Sequence, residues 1–327
     1  MATAVLAGLS FEDLCAHLAA REVPQAHAER LVRASLRQGV ADLAAVEGLG
    51  PRNLARLGDD LALRTTRVVG RTASLDGTTK LLVETADGER VESVLMPLAH
   101  RLSGCVSSQV GCGAACAFCA SGLEGLRRSL RAEEIVEQVL HLKDEARGRE
   151  SPLSNLVFMG MGEPMHAYDA VVGAIRRLTD PRLLGFGAGH VTVSTVGVVP
   201  GILALAEEGL GVHLAVSVHA ADEAVRRRLL PVGGRWPLAE VLDAAERYRV
   251  RTRRFVTLQV TLMRGVNDGV ADATALAQAI DGRRFHVNLI PVNRIEGAPF
   301  EPPTQEAVTV AMRLLVSGMM ANLIVSR

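Results

Sequence analysis

The amino-acid sequence predicts an α/β protein: an open, partial (β/α)6 barrel, preceded by a small N-terminal helical domain and a short antiparallel β extension. After residue 130, short runs rich in Val, Ile and Leu alternate with helical apolar patterns, which is typical of a parallel sheet. Six such units are too few to close an eight-stranded barrel. Residues 1–62 have helical patterns instead, and residues 63–97 have hairpin patterns. The predicted domains are therefore 1–62, 63–97 and 98–327.

The composition limits the classes of protein to which the chain can belong. A chain of 327 residues, 48% hydrophobic and only 3% aromatic, can bury a large and mainly aliphatic core. Five cysteines, three of them in one short loop, indicate a reducing compartment rather than a disulfide framework. The sequence has neither a signal-peptide pattern nor an apolar run of about 20 residues, so we expect a cytoplasmic protein without a membrane span.

The net charge of the chain says little about its binding partner. The 36 Lys and Arg residues balance the 36 Asp and Glu residues, so the net charge does not indicate nucleic acid. Arginines nevertheless cluster at 127–131, 226–228 and 247–254, and the arginine fork suits phosphates better than lysine does. Nucleic-acid binding and ordinary solvated helix faces explain these clusters equally well.

The N-terminal third predicts helices followed by hairpins. Ser10 is placed as the N-cap of a helix that begins at Phe11. The segment 46–52 is a tight connection, rich in Gly and Pro, between two apolar-periodic segments. It resembles a helix-hairpin-helix, and a plain αα-hairpin fits at least as well. Short strands are predicted at 68–69, 80–85 and 90–96, with Asp-Gly hairpin turns at 76–77 and 87–88.

The remaining elements alternate regularly. We predict strands at 156–159, 191–195, 213–218, 256–262, 285–290 and 323–325. Helices are predicted at 132–147, 167–179, 201–209, 221–230, 237–248, 270–280 and 304–317. In a parallel sheet of this kind, the active site lies at the carboxyl ends of the strands.

Three cysteines form the most informative pattern in the chain. Cys112, Cys116 and Cys119 make a CxxxCxxC run, and no fourth cysteine follows nearby. Structural zinc sites and ferredoxin-type clusters use four protein ligands. Three thiolates on a short loop instead suit a [4Fe-4S] cluster with one iron left open to a ligand other than protein. This resembles the arrangement in radical S-adenosylmethionine (SAM) enzymes, in which the amino and carboxylate groups of SAM chelate the open iron. Three reduced structural thiols, or a zinc site completed by His100 or His190, are the alternatives.

Polar residues follow several predicted strands at the end where a parallel sheet places its chemistry. Glu163 lies in a Gly-rich run after the first barrel strand, where it could accept a hydrogen bond from an ammonium group. Ser194 is at the end of the next strand, Ser217 and His219 at the end of the third, and Asn293 after the fifth. Each residue alone is weak evidence for a binding site, because the Gly-rich run also fits an ordinary βα turn and His219 also fits a partly buried imidazole with a hydrogen-bond partner. Their repetition at successive strand ends favours a binding site.

With these motifs, residues 92–300 resemble the RlmN/Cfr family of radical SAM RNA (adenine) methyltransferases. The most specific match is the CVSSQVGC run at 105–112, which leads into the cysteine loop. Further matches lie at 91–94, 159–164, 196–200, 217–220, 265–269, 288–291 and 297–299. The resemblance implies that the partial barrel is a radical SAM barrel.

The resemblance also implies cofactors, partners and an activity. Cys112, Cys116 and Cys119 would hold a [4Fe-4S] cluster. SAM would be bound by Gly162, Glu163, Ser194, Ser217, Val218, His219 and Asn293. A methyl group would pass from SAM to carbon 2, or in some relatives carbon 8, of an adenosine in 23S rRNA and possibly tRNA. The partners would be RNA and an electron donor such as flavodoxin or ferredoxin, and the protein would be a monomer.

Two further residues match catalytic positions of the family. Glu92 matches its proton acceptor, although a strand-edge surface carboxylate would also explain this residue. Cys105 matches the cysteine that resolves a protein–RNA adduct by forming a disulfide with a methyl-carrying cysteine. Its structural alternative is a small buried apolar residue. We expect Cys15 to lie in the core of the N-terminal helices.

The methyl carrier is the point at which this sequence departs from the family pattern. In the family, the carrier lies near the C-terminus, and in this sequence no cysteine follows Cys119. The sequence therefore leaves an alternative function open. The chain would then be a SAM- and [4Fe-4S]-binding, RNA-associated protein that cleaves SAM or binds RNA without methylating it.

Overall fold

The computed structural model of the protein describes residues 3–294, 299–317 and 324–325. The chain forms two compact units. The first comprises Met1–Val110, Arg128–Met161 and Ala167–Val191, and the second comprises Gly111–Arg127, Gly162–His166 and Thr192–Arg327. No helix in the described ranges is both long and apolar enough to cross a membrane.

Strands and helices alternate as predicted over most of the chain. The strands are β1 Ala4–Val5, β2 Leu61–Ala62, β3 Arg67–Ala73, β4 Thr79–Glu84, β5 Arg90–Leu98, β6 Arg101–Cys105, β7 Gln109–Gly111, β8 Leu126–Ser129, β9 Leu153–Phe158, β10 Val191–Thr195, β11 His213–Ser217, β12 Val256–Leu262, β13 His286–Pro291 and β14 Ile324–Val325. The helices are α1 Phe11–Ala19, α2 His27–Val32, α3 Pro51–Leu57, α4 Ala132–Glu145, α5 Tyr168–Thr179, α6 Val199–Glu207, α7 Glu223–Leu229, α8 Leu238–Thr252, α9 Val270–Ile280 and α10 Gln305–Ser317. The α/β class is confirmed, and the six predicted barrel strands are β9 to β14.

The N-terminal helices of the first unit pack around a leucine core. The predicted N-cap is confirmed, because the Ser10 hydroxyl accepts from the Asp13 N–H at 3.0 Å and the Asp13 carboxylate accepts from the Ser10 N–H in return. The predicted connection at 46–52 contains two glycines with positive φ, Gly48 and Gly50, before α3 begins. The element immediately before this connection is a single 3₁₀ turn, Leu43–Ala45. Cys15 packs against the apolar core, as expected. The fully buried members of this core include Leu14, Leu18, Leu31, Leu57 and, from α4, Leu140.

The strands of the first unit lie in the order β9-β6-β5-β4-β3. Neighbours from β3 to β6 are antiparallel, and β6 and β9 are parallel. Both predicted Asp-Gly turns are confirmed: Gly77 and Gly88 have φ of +84° and +82°, which glycine adopts at low cost. The prediction missed β6, because the sequence Arg-Leu-Ser-Gly-Cys has no apolar alternation, although its three middle residues are buried.

The strands of the second unit lie in the order β14-β13-β12-β11-β10, and all its paired neighbours are parallel. The register places Ser217 beside Gln259 and Gln259 beside Asn288. Because alternate side chains point to opposite faces of a sheet, these three residues share one face. Their neighbours Leu258 and Leu289 are fully buried on the other face. The second unit therefore has one apolar face and one face with a polar row.

Candidate active site

All predicted metal and cofactor residues lie in the second unit, beginning with the cysteine loop between β7 and β8. Cys112 is buried, and Cys116 and Cys119 are partly buried. Burial raises the pKa of the Cys116 thiol to about 12, and the nearby Cys119, Cys112 and Glu163 add to this rise. The three thiols therefore lie near enough on one loop to act on one another electrostatically.

The donor set decides which metal group fits this loop. A [4Fe-4S] cluster with an open iron needs three thiolates, each bound to a separate iron. Within the described ranges, neither these three cysteines nor any other group of three or more His, Cys, Asp and Glu side chains is arranged to hold a single metal ion, and neither His100 nor His190 completes such a group. Thiols with raised pKa values stay protonated until a metal displaces the proton. Cys112, Cys116 and Cys119 fit the cluster by their chemistry.

Contacts on both sides of the cysteines fix the shape of the loop. Phe118 packs edge-on against the His219 ring, with the ring centroids 4.6 Å apart. The Cys112 N–H donates to the Gly125 carbonyl at 3.0 Å. Gly111 has φ of +72°, and a Cβ atom there would lie 2.0 Å from the Gly125 oxygen. Only glycine therefore fits immediately before the first cysteine.

His219 is a buried, neutral support for this loop. Its Nδ1 accepts from the Thr261 N–H at 2.9 Å, which places the ring proton on Nε2. The Asn267 side chain donates to the His219 carbonyl at 2.7 Å, and His219 itself has φ of +57°. Burial, followed by the charge of Arg226, lowers the pKa of His219 to about 3. The structural alternative for His219, a buried imidazole with a hydrogen-bond partner, therefore describes its Nδ1 atom. The aromatic contact between His219 and the cysteine loop was not predicted.

Glu163 is the buried carboxylate among the predicted SAM ligands. Its Oε2 accepts from the Val196 N–H at 2.8 Å and its Oε1 from the Met165 N–H at 3.0 Å, and the Thr195 hydroxyl is a third donor. Burial raises the pKa of Glu163 to about 7, although these bonds act in the opposite direction. The carboxylate thus joins the loops after β9 and β10. An ammonium group would have to use the lone pairs that remain.

A polar row on β11, β12 and β13 extends the predicted set. Asn288 Nδ2 donates to Gln259 Oε1 at 2.7 Å, and Gln259 lies directly beside Ser217. Asn288 Oδ1 is buried and has no partner among the described residues. Ser194 lies on the same face, because it pairs with Ala215, two residues before Ser217. The sequence analysis missed Gln259 and Asn288 as site residues, and the signal was a polar residue in the middle of an apolar strand.

The other predicted SAM ligands differ in what the structure shows of them. Gly162 has φ of +104°, which favours glycine. Val218 is fully buried, and its N–H donates to the Gln259 carbonyl at 3.0 Å. Asn293 is exposed, two residues beyond β13. Part of the matched motif at 297–299 lies outside the described residues. The polar row and the Glu163 loops are therefore the best-defined parts of the candidate SAM site.

The two predicted catalytic residues lie in the first unit. Glu92 is on β5, with its side chain 44% exposed and Oε1 at 2.7 Å from Lys80 Nζ on β4. Cys105 is the last residue of β6 and is partly exposed. Glu92 is therefore an accessible strand carboxylate held by a cation, which is compatible with both its catalytic and its structural interpretation.

Ser107, one of the two serines in the matched run at 105–112, connects several elements through hydrogen bonds. Its hydroxyl donates to the Glu92 carbonyl at 2.7 Å and accepts from the Met161 N–H at 2.9 Å. Its N–H donates to Gln138 Oε1 at 2.8 Å. A Cβ atom on Gly160 would lie 2.7 Å from the Ser107 hydroxyl oxygen, so position 160 of the Gly-rich run requires glycine. Ser107 joins β5, α4 and the Gly-rich run, and the prediction missed it.

Cys105 is expected to be a thiol at neutral pH. Burial raises its pKa to about 11, partly offset by a hydrogen bond from the Met159 backbone. Because the thiolate is the nucleophile, we predict slow alkylation by iodoacetamide at pH 7, with a rate that rises about tenfold per pH unit up to about pH 10. Peptide mass spectrometry over time measures this rate, with Cys15 as the internal comparison. A rate independent of pH between 7 and 9 would contradict a raised pKa.

Comparison with known proteins now identifies the class. Residues 106–277, more than half of the chain, match the family model of the Radical SAM superfamily. A radical SAM methyltransferase from Sphaerobacter thermophilus has a solved structure that is 40% identical in sequence, with a TM-score of 0.95 over 99% of this chain and 95% of that chain. The fold is thus the radical SAM fold, as the motifs implied.

Two curated relatives define the family more narrowly. The probable dual-specificity RNA methyltransferase RlmN 1 of Opitutus terrae is 45% identical over 309 residues, covering 92% of this chain and 87% of that protein. The probable dual-specificity RNA methyltransferase RlmN of Symbiobacterium thermophilum is 41% identical over 319 residues, covering 97% and 86%. The chain belongs to the RlmN family of radical SAM RNA methyltransferases. Its cofactors are a [4Fe-4S] cluster and SAM.

Proposed function

We propose that this protein transfers a methyl group from SAM to carbon 2 of an adenosine in 23S rRNA, and that it also accepts tRNA. The observation that carries this proposal is the 45% identity over 309 residues to a probable dual-specificity RNA methyltransferase. Carbon 2 of adenine is electron-poor, and so is the methyl group of SAM. Polar methyl transfer is therefore unfavourable there, and a radical route of the kind this family uses is needed.

In this proposal the second unit holds both cofactors. Cys112, Cys116 and Cys119 hold the cluster, which when bound supplies the electron that cleaves SAM. The Glu163 loops and the row Ser217–Gln259–Asn288 orient SAM, with Ser194, Gly162, Val218, His219 and Asn293 as the other ligands. The contact between Phe118 and His219 keeps the cysteine loop in one shape, which would hold the cluster in a fixed position.

The first unit supplies the proton acceptor and the resolving thiol. Glu92 removes the proton from the methylated carbon, and its contact with Lys80 holds the carboxylate on the strand surface. Cys105 would resolve the protein–RNA adduct by attacking the sulfur of a methyl-carrying cysteine, so that a disulfide forms as the bond between that sulfur and the transferred carbon breaks. None of the five cysteines in this sequence is assigned as that carrier, because Cys15 lies in the N-terminal core, Cys105 is the resolving thiol and the other three hold the cluster.

The remaining partners follow from this chemistry. A one-electron donor such as flavodoxin or ferredoxin reduces the cluster, and the protein works in the cytoplasm as a monomer without a membrane partner. A single chain carries the proposed ligands of both cofactors and both catalytic residues, which supports a monomeric enzyme.

Nucleoside analysis tests the target. Unmodified 23S rRNA and tRNA are incubated with the reconstituted full-length protein, SAM and a reductant, and then digested for mass spectrometry. We expect 2-methyladenosine from both RNAs. A product that is 8-methyladenosine would overturn the carbon assignment, and a product from rRNA alone would overturn dual specificity.

A further inference from the structure

Several members of the arginine clusters that the sequence offered as a nucleic-acid footprint have partners inside the protein. Arg226 is fully buried and donates to the carbonyls of Trp236 and Gly233 at 2.7 and 3.0 Å. Arg128 is paired with both Asp87 and Glu134. Arg249 and Arg251 are paired with the carboxylates of Glu246 and Glu207. A further candidate for a phosphate-binding surface lies outside these clusters.

A cavity in the first unit contains no residue assigned a role so far. Its volume is about 610 Å³, and it lies beside β3 and the C-terminal half of α4. The polar side chains that line it include Arg64, Thr66, Arg67, Arg71 and His141. We call it the arginine pocket.

Arg64 is an incompletely satisfied cation in the arginine pocket. Its side chain is only 8% exposed, and Nη1 donates to Asp144 Oδ2 at 2.6 Å. Nε and Nη2 are buried and have no partner within the part of the chain that the structure describes. Buried donors without acceptors are costly, and an oxyanion presents two oxygens in the geometry that the guanidinium fork matches. Arg64 therefore lacks the kind of partner that a phosphate would provide.

The charges around the pocket leave a surplus of positive charge. Each of three carboxylates is shared by two arginines: Glu84 by Arg67 and Arg90, Asp144 by Arg64 and Arg147, and Glu145 by Arg71 and Arg149. The pocket itself is lined by three of these arginines, Arg64, Arg67 and Arg71, and by two of the carboxylates, Asp144 and Glu145. Burial, and then the charge of Arg64, lowers the pKa of His141 to about 4. Burial also lowers the pKa of Lys143, where Asp144 acts in the opposite direction and Arg147, Arg37 and Arg64 add to the effect.

We propose that the arginine pocket binds a backbone phosphate of the RNA substrate, an inference that rests on the proposed function. Arg67 and Arg71 are 75% and 54% exposed on β3, which is an edge strand of the first unit. All residues of β3 except Gly70 are exposed, so the rim of the pocket is open to a long ligand. Arg64 provides the buried contact at the base, and Arg67 and Arg71 provide two further contacts at the rim.

Binding of a labelled rRNA fragment to the full-length protein at several salt concentrations tests this proposal. We expect R67Q/R71Q to bind the RNA about tenfold more weakly, because charge-assisted contacts are lost. The slope of log K against log salt should fall by about 1 to 2. The control R182Q/R251Q also removes two exposed arginines that are paired with carboxylates, and it should match the wild type. R64Q, with folding checked by thermal melting, should weaken RNA binding as well.

The outcomes separate this proposal from the proposed function. Wild-type affinity and salt slope in R67Q/R71Q would overturn the pocket, and equal losses in the control would replace it with diffuse charge attraction. If the wild type bound no RNA, the proposed function itself would fail. Titration calorimetry with inorganic phosphate gives a further arm. Saturable phosphate binding that is lost in R67Q/R71Q, with RNA affinity unchanged, would assign the pocket to a small free phosphate and overturn the RNA assignment.

Discussion

Replacing Cys116 with alanine is expected to abolish both cluster assembly and reductive cleavage of SAM. The loop offers three thiols, and each one has to ligate a separate iron. Loss of a residue that only supports a metal ligand typically costs about 10- to 100-fold, so loss of the ligand itself should exceed about 100-fold. The measurements are the iron and sulfide content after anaerobic reconstitution and the yield of 5′-deoxyadenosine.

Cys15→Ala is the matched control for this loss. Cys15 is a partly buried thiol that packs in the N-terminal core, so its variant should keep the full iron content and SAM cleavage. Equal losses in both variants would indicate general destabilisation rather than ligation. Full iron content and full cleavage in Cys116→Ala would contradict the assignment of the cluster to this loop.

Glu163→Ala is expected to lower the free energy of unfolding by about 3 kcal/mol, because the N–H groups of Val196 and Met165 would lose their buried acceptor. Glu163→Gln should cost less, since its carbonyl oxygen can still accept one of these bonds. Urea unfolding of the cluster-free protein at pH 6 measures both values. A loss below about 1 kcal/mol in Glu163→Ala would show that the loops after β9 and β10 do not depend on this carboxylate.

The difference in unfolding free energy between the wild type and Glu163→Gln should depend on pH, and its sign follows from the pKa of Glu163. The pKa of Glu163 is raised from 4.5 to about 7 in the folded protein. Its contribution to stability is therefore fully present below about pH 4.5 and is lost as the pH rises through 7. The wild type should lose about 3 kcal/mol relative to Glu163→Gln over this interval. Urea unfolding between pH 4.5 and 8 follows the difference, and a constant difference would contradict the raised pKa.

Local signals in the sequence predicted most of the fold. The bounds of β10, β12 and α9 agree with prediction to the residue, because each has a clear apolar period between turn or polar residues. The Ser10 cap and both Asp-Gly turns depend on neighbours within a few residues. β6 has no such signal: its Leu102, Ser103 and Gly104 are buried between β5, its hairpin neighbour, and β9, which lies beyond α4 in the sequence.

In the candidate site, too, the features that depend on nearby residues were visible in the sequence and those that depend on remote residues were not. The cysteine spacing lies within eight residues and can be read directly from the sequence. Two of the three donors to Glu163 come from Thr195 and Val196, more than thirty residues away, and the third is the nearby Met165 N–H. The sequence therefore predicted a ligand contact where the structure shows three internal donors. The Gln259–Asn288 pair and the arginine pocket depend on strand register and helix packing, which no local period contains.

The most direct test of the central conclusion is one reaction with two readouts. Reconstituted full-length protein is incubated with SAM, a reductant and unmodified rRNA, and mass spectrometry measures 5′-deoxyadenosine and methylated adenosine in the same sample. An RNA methyltransferase of the radical SAM class yields both products, and neither forms with Cys116→Ala. 5′-Deoxyadenosine without methylated RNA, from a sample with an intact cluster, would contradict methyl transfer and favour a SAM-cleaving RNA-associated protein.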